Sequence, residues 1–278
     1  MAIPILKNWH KYFLNSDEGM GSSYERIILN KKIEKIIKVY RVKSILEAPS
    51  FGFTGVSGIN SMQFAKNGIS TTVLDNDKFR TEKVKEVWEK MKIPVNLSAV
   101  DNFKQLNFED NSFDMSWNFS ALWFVNDLQK FLSELDRVTK KVIFLSVPNR
   151  LGIGYITQKY LGKDDMKKYL KEENIIPKKF VTIMNDLDWQ LFDKNFIDCP
   201  PWPDIGMPKD KFLKIFKLDW LLKKEKSKPV SILNWYADKD LGFERKMLSL
   251  SYLEEKAPWI FKRFWAHHRY YMFIKNEN

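Results

Sequence analysis

Four positions, Glu47, Asp75, Asp101 and Asn118, each stand at the end of a short apolar run, and their side chains are of the kinds that grip a nucleoside. A carboxylate such as Asp75 accepts two hydroxyl hydrogens at once, which suits a ribose diol. An acid beside an amide, Asp101-Asn102, suits the exocyclic amine and ring nitrogens of adenine. Glu47 can take a positive group, directly or through water. So many carboxylates would repel a pyrophosphate, so adenosine carrying a cationic or amino-acid tail fits better than a dinucleotide. No G-x-G-x-x-G follows the first apolar run, which argues against a nicotinamide dehydrogenase.

Groups for proton transfer are few. His267 and His268 are weak candidates for a base, set against the plainer reading of one surface and one packed histidine. His10 lies in the N-terminal leader, a segment that could act as a lid. Three histidines with one cysteine, Cys199, give no metal signal and no disulfide framework. A single thiol suits a reducing, cytoplasmic setting.

The acids need strands to carry them. From Ser44 to Asp77 the chain reads strand, glycine loop, helix, strand, acid: Ile45-Leu46 before Glu47, then Gly52, Gly55 and Gly58, a helical pattern through Met62, Phe64 and Ala65 closed by Gly68, and Thr71 to Leu74 before Asp75. This is the first βαβ unit of a doubly wound sheet. A helix over 77–92, strands over 95–100 and 113–118, a helix over 127–139 and a buried strand over 142–147 continue the alternation, which predicts a parallel α/β sheet. Upstream, 24–42 has helical spacing, with Ser22 or Ser23 as its cap and a basic face of Lys31, Lys32, Lys35, Lys38 and Arg41. Downstream, helices are expected over 155–170, 179–186 and 210–224, a strand near 187–192, a helical or loop segment over 241–262 and a terminal strand within R-F-W-A-H-H-R-Y-Y-M-F-I-K.

In this order the residues resemble the class I S-adenosylmethionine-dependent methyltransferases. The resemblance runs from Ser44 to Asn149 and rests on I-L-E at 45–47, V-L-D at 73–75, L-N-F-E-D-N-S-F-D at 106–114, which looks like the family's LPF-x-D-x-S-F-D stretch, and the helix and strand of 131–149. It implies a Rossmann-like, doubly wound, mostly parallel seven-stranded sheet with helices on both faces. It implies S-adenosyl-L-methionine as cofactor, with Glu47 and Ala48 beside the methionine moiety, Asp75 on the ribose, Asn76 flanking the adenine, Asp101 and Asn102 on its edge, and Asn118, Phe119 and Ser120 as the floor under the methyl donor. The departure is the glycine loop. The family's E/D-x-G-x-G-x-G here has Pro49, Phe51 and Phe53 at its glycine positions, and Gly52 and Gly55 are displaced. Either those two glycines still cradle the cofactor, the favoured reading, or the site is reshaped and the cofactor lost.

Three stretches are expected: a helical leader or lid over 1–43, the cofactor-binding core over 44–150, and over 151–278 the rest of the sheet with a Trp-rich elaboration on the substrate side. The latter holds Trp189, Trp202, Trp220, Trp235, Trp259 and Trp265, which suit pocket walls or plain packing. A formal charge of +11 suits a lysine-rich surface or an anionic partner, nucleic acid or lipid headgroups; the lysines are spread along the chain, which disfavours nucleic acid. The first residues lack a charged region before an apolar run, so no secretory signal is expected, and no apolar stretch is long enough to span a bilayer. The expected activity is in-line methyl transfer to a small-molecule or lipid-like acceptor. An RNA methyltransferase and a non-catalytic methyltransferase-like binding protein remain as alternatives.

Overall fold

The structure, a computed structural model, describes residues 9–14, 18–52, 54–161, 170–202, 232–239 and 241–275. The expected helix over 210–224, with Trp220, lies outside them.

Seven strands form one sheet in the order β3-β2-β1-β4-β5-β7-β6. They are β1 (Ser44–Glu47), β2 (Ser70–Asp75), β3 (Asn96–Ala99), β4 (Phe113–Phe119), β5 (Thr139–Pro148), β6 (Trp189–Ile197) and β7 (His268–Lys275). β1 to β5 pair in parallel, and β7 runs antiparallel between β5 and β6. The order reverses between β1 and β4, which opens the crevice where such sheets take ligands. Because β7 runs backwards, its first residue, His268, pairs with Pro148 at the end of β5 and Ile197 at the end of β6. One edge of the sheet therefore collects Glu47, Asp75, Phe119, Pro148, Ile197 and His268.

Helices α1 (Lys11–Leu14), α2 (Gly19–Tyr40), α3 (Met62–Lys66), α4 (Lys78–Met91), α5 (Leu128–Val138), α6 (Ile153–Leu161) and α7 (Pro177–Asp186) surround the sheet. Asp77 and Asp127 cap α4 and α5 by accepting from the amides of Arg80 and Lys130. α5 buries Leu128, Phe131, Leu132, Leu135 and Val138, a helical stripe that packs with Phe180 and Met184 of α7 on one face of the sheet. On the other face Leu29, Ile33 and Ile36 of α2 meet Trp117, Phe144, Tyr270 and Met272. Truncating a fully buried leucine such as Leu132 to alanine would cost about 2–5 kcal/mol.

Several expected boundaries move. α2 begins at Gly19, so Ser22 and Ser23 lie inside it, buried, rather than capping it. Part of its basic face turns to acids of the chain: Lys31 meets Glu244, and Lys32 meets Asp193 and the Tyr270 hydroxyl. β6 extends to Ile197, five residues past the expected end. Arg263, Phe264 and Trp265 are helical, in α11 (Trp259–Trp265), because Pro258 opens a fresh helix there; α8 (Ile232–Tyr236), α9 (Leu241–Ser249) and α10 (Tyr252–Lys256) precede it. Of the tryptophans, Trp189 and Trp235 are buried in the core and Trp259 is exposed.

Candidate active site

The acids at the end of β1 and β2 are held by the chain itself. Glu47 is 1% exposed; Oε1 accepts from Asn60 Nδ2 at 3.0 Å, and Oε2 from Ser61 N at 3.1 Å and Ser61 Oγ at 2.6 Å. Burial pushes its carboxyl up to about 7, with those hydrogen bonds opposing. Asp75, also 1% exposed, accepts from Ser50 Oγ at 2.8 Å, from Asp77 N at 3.0 Å and from both Nε and Nη2 of Arg80. The Arg80 guanidinium lies 3.9 Å from the centre of the Phe51 ring and 5.5 Å from that of Trp9. The leader thus reaches the site through Trp9, and Arg80 sits on the carboxylate expected to grip a ribose.

The loop between β1 and α3 packs on the sheet rather than standing off it. A Cβ on Gly52 would overlap the carbonyl oxygens of Phe119 and Ser120, so only glycine fits. Gly55, at φ +133, faces the Glu18 carboxylate. Glu18 accepts from Val56 N at 2.7 Å and pairs with Arg26 at 2.6 Å, both side chains fully buried. Arg26 also donates to Asn60 Oδ1 and, at 3.0 Å, to Val56 O. Arg26 and Asn60 therefore link α2 to Glu47. Glu18, Arg26, Asn60 and Arg80 were not legible in the sequence, since nothing local marks a buried charge whose partner is a distant loop.

The remaining expected residues scatter by exposure. Ala48 is buried and its carbonyl accepts from Asn118 Nδ2 at 3.3 Å. Asn76, Asp101 and Asn102 are exposed around a cleft of about 10 Å³ that also touches Phe103 and Phe124. That is room for a single water. Asn118 and Ser120 are fully buried, and Phe119 lies with its ring 4.5 Å from that of His268.

His267 and His268 are both buried, 6% and 1% exposed, so the reading of a surface histidine does not hold. Their partners are acids from distant segments: His267 Nδ1 is 2.6 Å from Asp198 Oδ2, and His268 Nδ1 is 3.0 Å from Glu25 Oε1. Burial opposes the charge on His268, but Glu25 and Asp198 outweigh it and raise its affinity for a proton. Next to this cluster, at the ends of β5 and β7, a cavity of about 740 Å³ is lined by Val147, Leu151 and Ile175 with Arg150, Lys159 and Arg269. Asn149 joins the two features, its amide donating to His267 O at 2.8 Å.

A family model described as a methyltransferase domain matches residues 53–144. Over these residues the chain is similar to methyltransferase domains, whose cofactor is S-adenosyl-L-methionine. Among solved structures, a putative sarcosine dimethylglycine methyltransferase from Galdieria sulphuraria is similar at 12% identity, over 89% of this chain and 85% of that one, with a TM-score of 0.54. A Haemonchus contortus phosphoethanolamine N-methyltransferase is similar at 16% identity, over 89% of this chain and 53% of that one, with a TM-score of 0.52. The cyclase SpnF is similar at 11% identity, over 90% of this chain and 81% of that one, with a TM-score of 0.51. These likenesses carry the fold. No curated protein matches.

Toward S-adenosyl-L-methionine the carboxyl edge of the sheet is open in one half and already occupied in the other. Thr54 Oγ1, Ser57 Oγ, Asn118 Oδ1 and Ser120 Oγ are buried without a hydrogen-bond partner, and such atoms suit the ammonium and carboxylate of the methionine end. Asp75 can take a ribose only when Arg80 withdraws.

Proposed function

We propose that the chain methylates a small-molecule or lipid-like acceptor that carries an anionic group on an apolar body. The observation that carries this reading is the cavity at the ends of β5 and β7, where Arg150 and Arg269 stand over aliphatic walls beside the carboxyl edge of the sheet, Lys159 being paired with Glu172 at 2.5 Å. A cation pair suits a carboxylate or phosphate. Aliphatic walls suit the body of the molecule.

In this reading Glu47, Ala48, Gly52, Gly55, Asn118, Phe119 and Ser120 surround the methionine end of the cofactor, Asp75 and Asn76 the ribose, and Asp101 and Asn102 the adenine. When bound, the cofactor supplies an electrophilic methyl on a sulfonium. The protein's share is to align the acceptor and to exclude water. His267 and His268 adjoin two residues of the cavity wall, His267 through the backbone hydrogen bond from Asn149 and His268 as the chain neighbour of Arg269. Either could take a proton from an acceptor hydroxyl or amine.

Calorimetric titration with S-adenosylhomocysteine tests the cofactor assignment. The wild type is expected to bind with one-to-one stoichiometry, and Asp75→Ala to bind at least tenfold more weakly. No heat with the wild type overturns the enzymatic reading. A panel of acceptors with and without an anionic group, followed by transfer of labelled methyl, tests the acceptor class: equal turnover of neutral and anionic members overturns it.

A further inference from the structure

A helix packed on a globular core turns its apolar stripe inward and its charges to water. α11 is built the other way round. Its buried residue is Lys262, whose ammonium donates to the carbonyl oxygen of Glu254. Its apolar side chains face out: Trp259 is 58% exposed, Ile260 66% and Phe264 48%. Single exposed apolar residues are ordinary on a protein surface, whereas a group of them marks a place where something else binds.

The outward face continues across the mouth of the large cavity. Asn149 ties the segment before α6 to the end of α11, its Nδ2 donating to Arg263 O at 2.9 Å and to Ala266 O at 2.8 Å. Gly152 packs so tightly there that a Cβ would lie 3.0 Å from the carbonyl oxygen of Ala266. Beside this junction Leu151, Ile153 and Ile156 are exposed as well. Leu151 and Ile156 also line the 740 Å³ cavity, so the rim of the cavity belongs to the exposed apolar face.

Charge decides what such a face meets. Residues 148–160 and 256–265 carry Arg150, Lys159, Lys256, Lys262 and Arg263 and no Asp or Glu. Glu172 holds Lys159, and Lys262 turns inward, which leaves Arg150, Lys256 and Arg263 for the outside. The Arg263 guanidinium lies 5.6 Å from the centre of the Trp259 ring and 5.8 Å from that of Phe264, so cation and aromatics share one face. Of the two acids just upstream, Glu254 points into the protein, toward the Tyr24 hydroxyl and the Cys199 amide, and Glu255 is exposed. A second copy docked here about a twofold axis would set these cations against their own kind. An anionic lipid surface satisfies both parts: its phosphates attract arginine and lysine, and its headgroup boundary accepts indole, phenyl and aliphatic groups.

We propose that α11 and residues 150–156 form a docking surface for an anionic phospholipid membrane, with the mouth of the cavity turned toward the bilayer. The surface rests on the acceptor reading above for its purpose: a lipid-like acceptor with an anionic group passes from the headgroup layer into the cavity, where Arg150 and Arg269 receive it.

The test mixes the full chain with vesicles of phosphatidylcholine alone and of phosphatidylcholine with phosphatidylglycerol, and reads bound protein by co-flotation. The wild type is expected to float with the anionic vesicles and not with the neutral ones, and to lose at least tenfold in affinity from low to high salt. Ile260→Asp, Phe264→Asp and Arg263→Glu should each weaken binding by about fivefold or more, with the urea midpoint and the affinity for S-adenosylhomocysteine unchanged. No flotation of the wild type with anionic vesicles, or equal flotation with neutral ones, overturns the proposal. Binding that all three variants leave unchanged overturns it too, because the membrane then meets another face. A wild-type dimer that Ile260→Asp dissolves, without flotation, assigns the face to a second copy instead. Soluble acceptors separate this surface from the acceptor reading: flotation without turnover of any of them overturns that reading and leaves the surface, and turnover of a soluble anionic acceptor without flotation overturns the surface alone.

Discussion

At the end of β1 and β2, Glu47 and Asp75 have every carboxylate oxygen engaged by Asn60, Ser61, Ser50, Asp77 or Arg80. At the end of β6 and β7, Asp198 Oδ1, His267 Nε2 and His268 Nε2 are as deeply buried and have no hydrogen-bond partner. Buried ionisable groups thus sit on the same edge of one sheet in opposite states. A buried polar atom left unmade costs about 1–3 kcal/mol, so the second region carries a standing cost that an incoming group would remove. The first region carries none, and a ligand there must displace what the chain has already supplied. The carboxyl edge of the sheet is therefore closed at the ends of β1 and β2 and open at the ends of β6 and β7.

The largest effect should come from breaking the closure at its root. Arg26→Ala would leave Glu18 as an unpaired buried charge and strip Asn60 Oδ1 of its donor. A loss of about 3–5 kcal/mol is expected, read from urea unfolding. A loss below 1 kcal/mol would show that α2 and the glycine loop are not welded through this residue. Arg80→Ala acts on the same half in the other direction. It removes the cation that holds Asp75, so S-adenosylhomocysteine should bind at least fivefold tighter, about 1 kcal/mol, while the unliganded protein loses stability. Weaker binding would mean that Arg80 itself holds the cofactor.

How far these halves could be read beforehand follows from where their signals lie. Glu47, Asp75 and Asn118 were legible because a strand-end acid or amide after an apolar run is a local pattern with a topological meaning, and the sheet puts all three on the expected edge. The crossover order and the stripe of α5 were legible for the same reason: their period is written into a dozen neighbouring residues. Arg80 was not, although it lies five residues beyond Asp75, since an arginine at the start of a helix more often faces solvent. Glu25 and Asp198 were hidden more deeply. Their significance exists only when β7 turns back and sets His268 between them, and no local pattern records an antiparallel strand inserted into a parallel sheet. The helical start of the terminal segment was missed because R-F-W-A-H-H alternates like a strand, while Pro258 pre-sets the turn that begins a helix.

A smaller effect separates closure from charge. The Glu47 carboxyl is raised to about 7 by burial, so between pH 4.5 and about 7 the folded state binds more protons than the unfolded one. Its contribution to stability is then full below pH 4.5 and lost as the pH rises through 7. The wild type should accordingly lose of order 1–3 kcal/mol from this group across that window, and Glu47→Gln should flatten the profile. Unfolding by urea at pH 5 and pH 7.5 reads the difference. An unchanged slope in Glu47→Gln would mean that Arg26, reaching Glu47 through Asn60, already neutralises the site.

The smallest expected effect tests whether the leader belongs to the closed half. Trp9 lies 5.5 Å from the Arg80 guanidinium and edge-on to Phe51 at 6.3 Å and Phe79 at 6.0 Å. A cation over a half-exposed ring contributes about 0.5–1 kcal/mol. Trp9→Ala should therefore tighten S-adenosylhomocysteine binding in the same direction as Arg80→Ala, by a factor of about two to five. Once Arg80 is gone the indole has no cation to hold, so adding Trp9→Ala to Arg80→Ala should change affinity no further. Full additivity of the two changes would detach the leader from the latch, because independent groups add and members of one device do not.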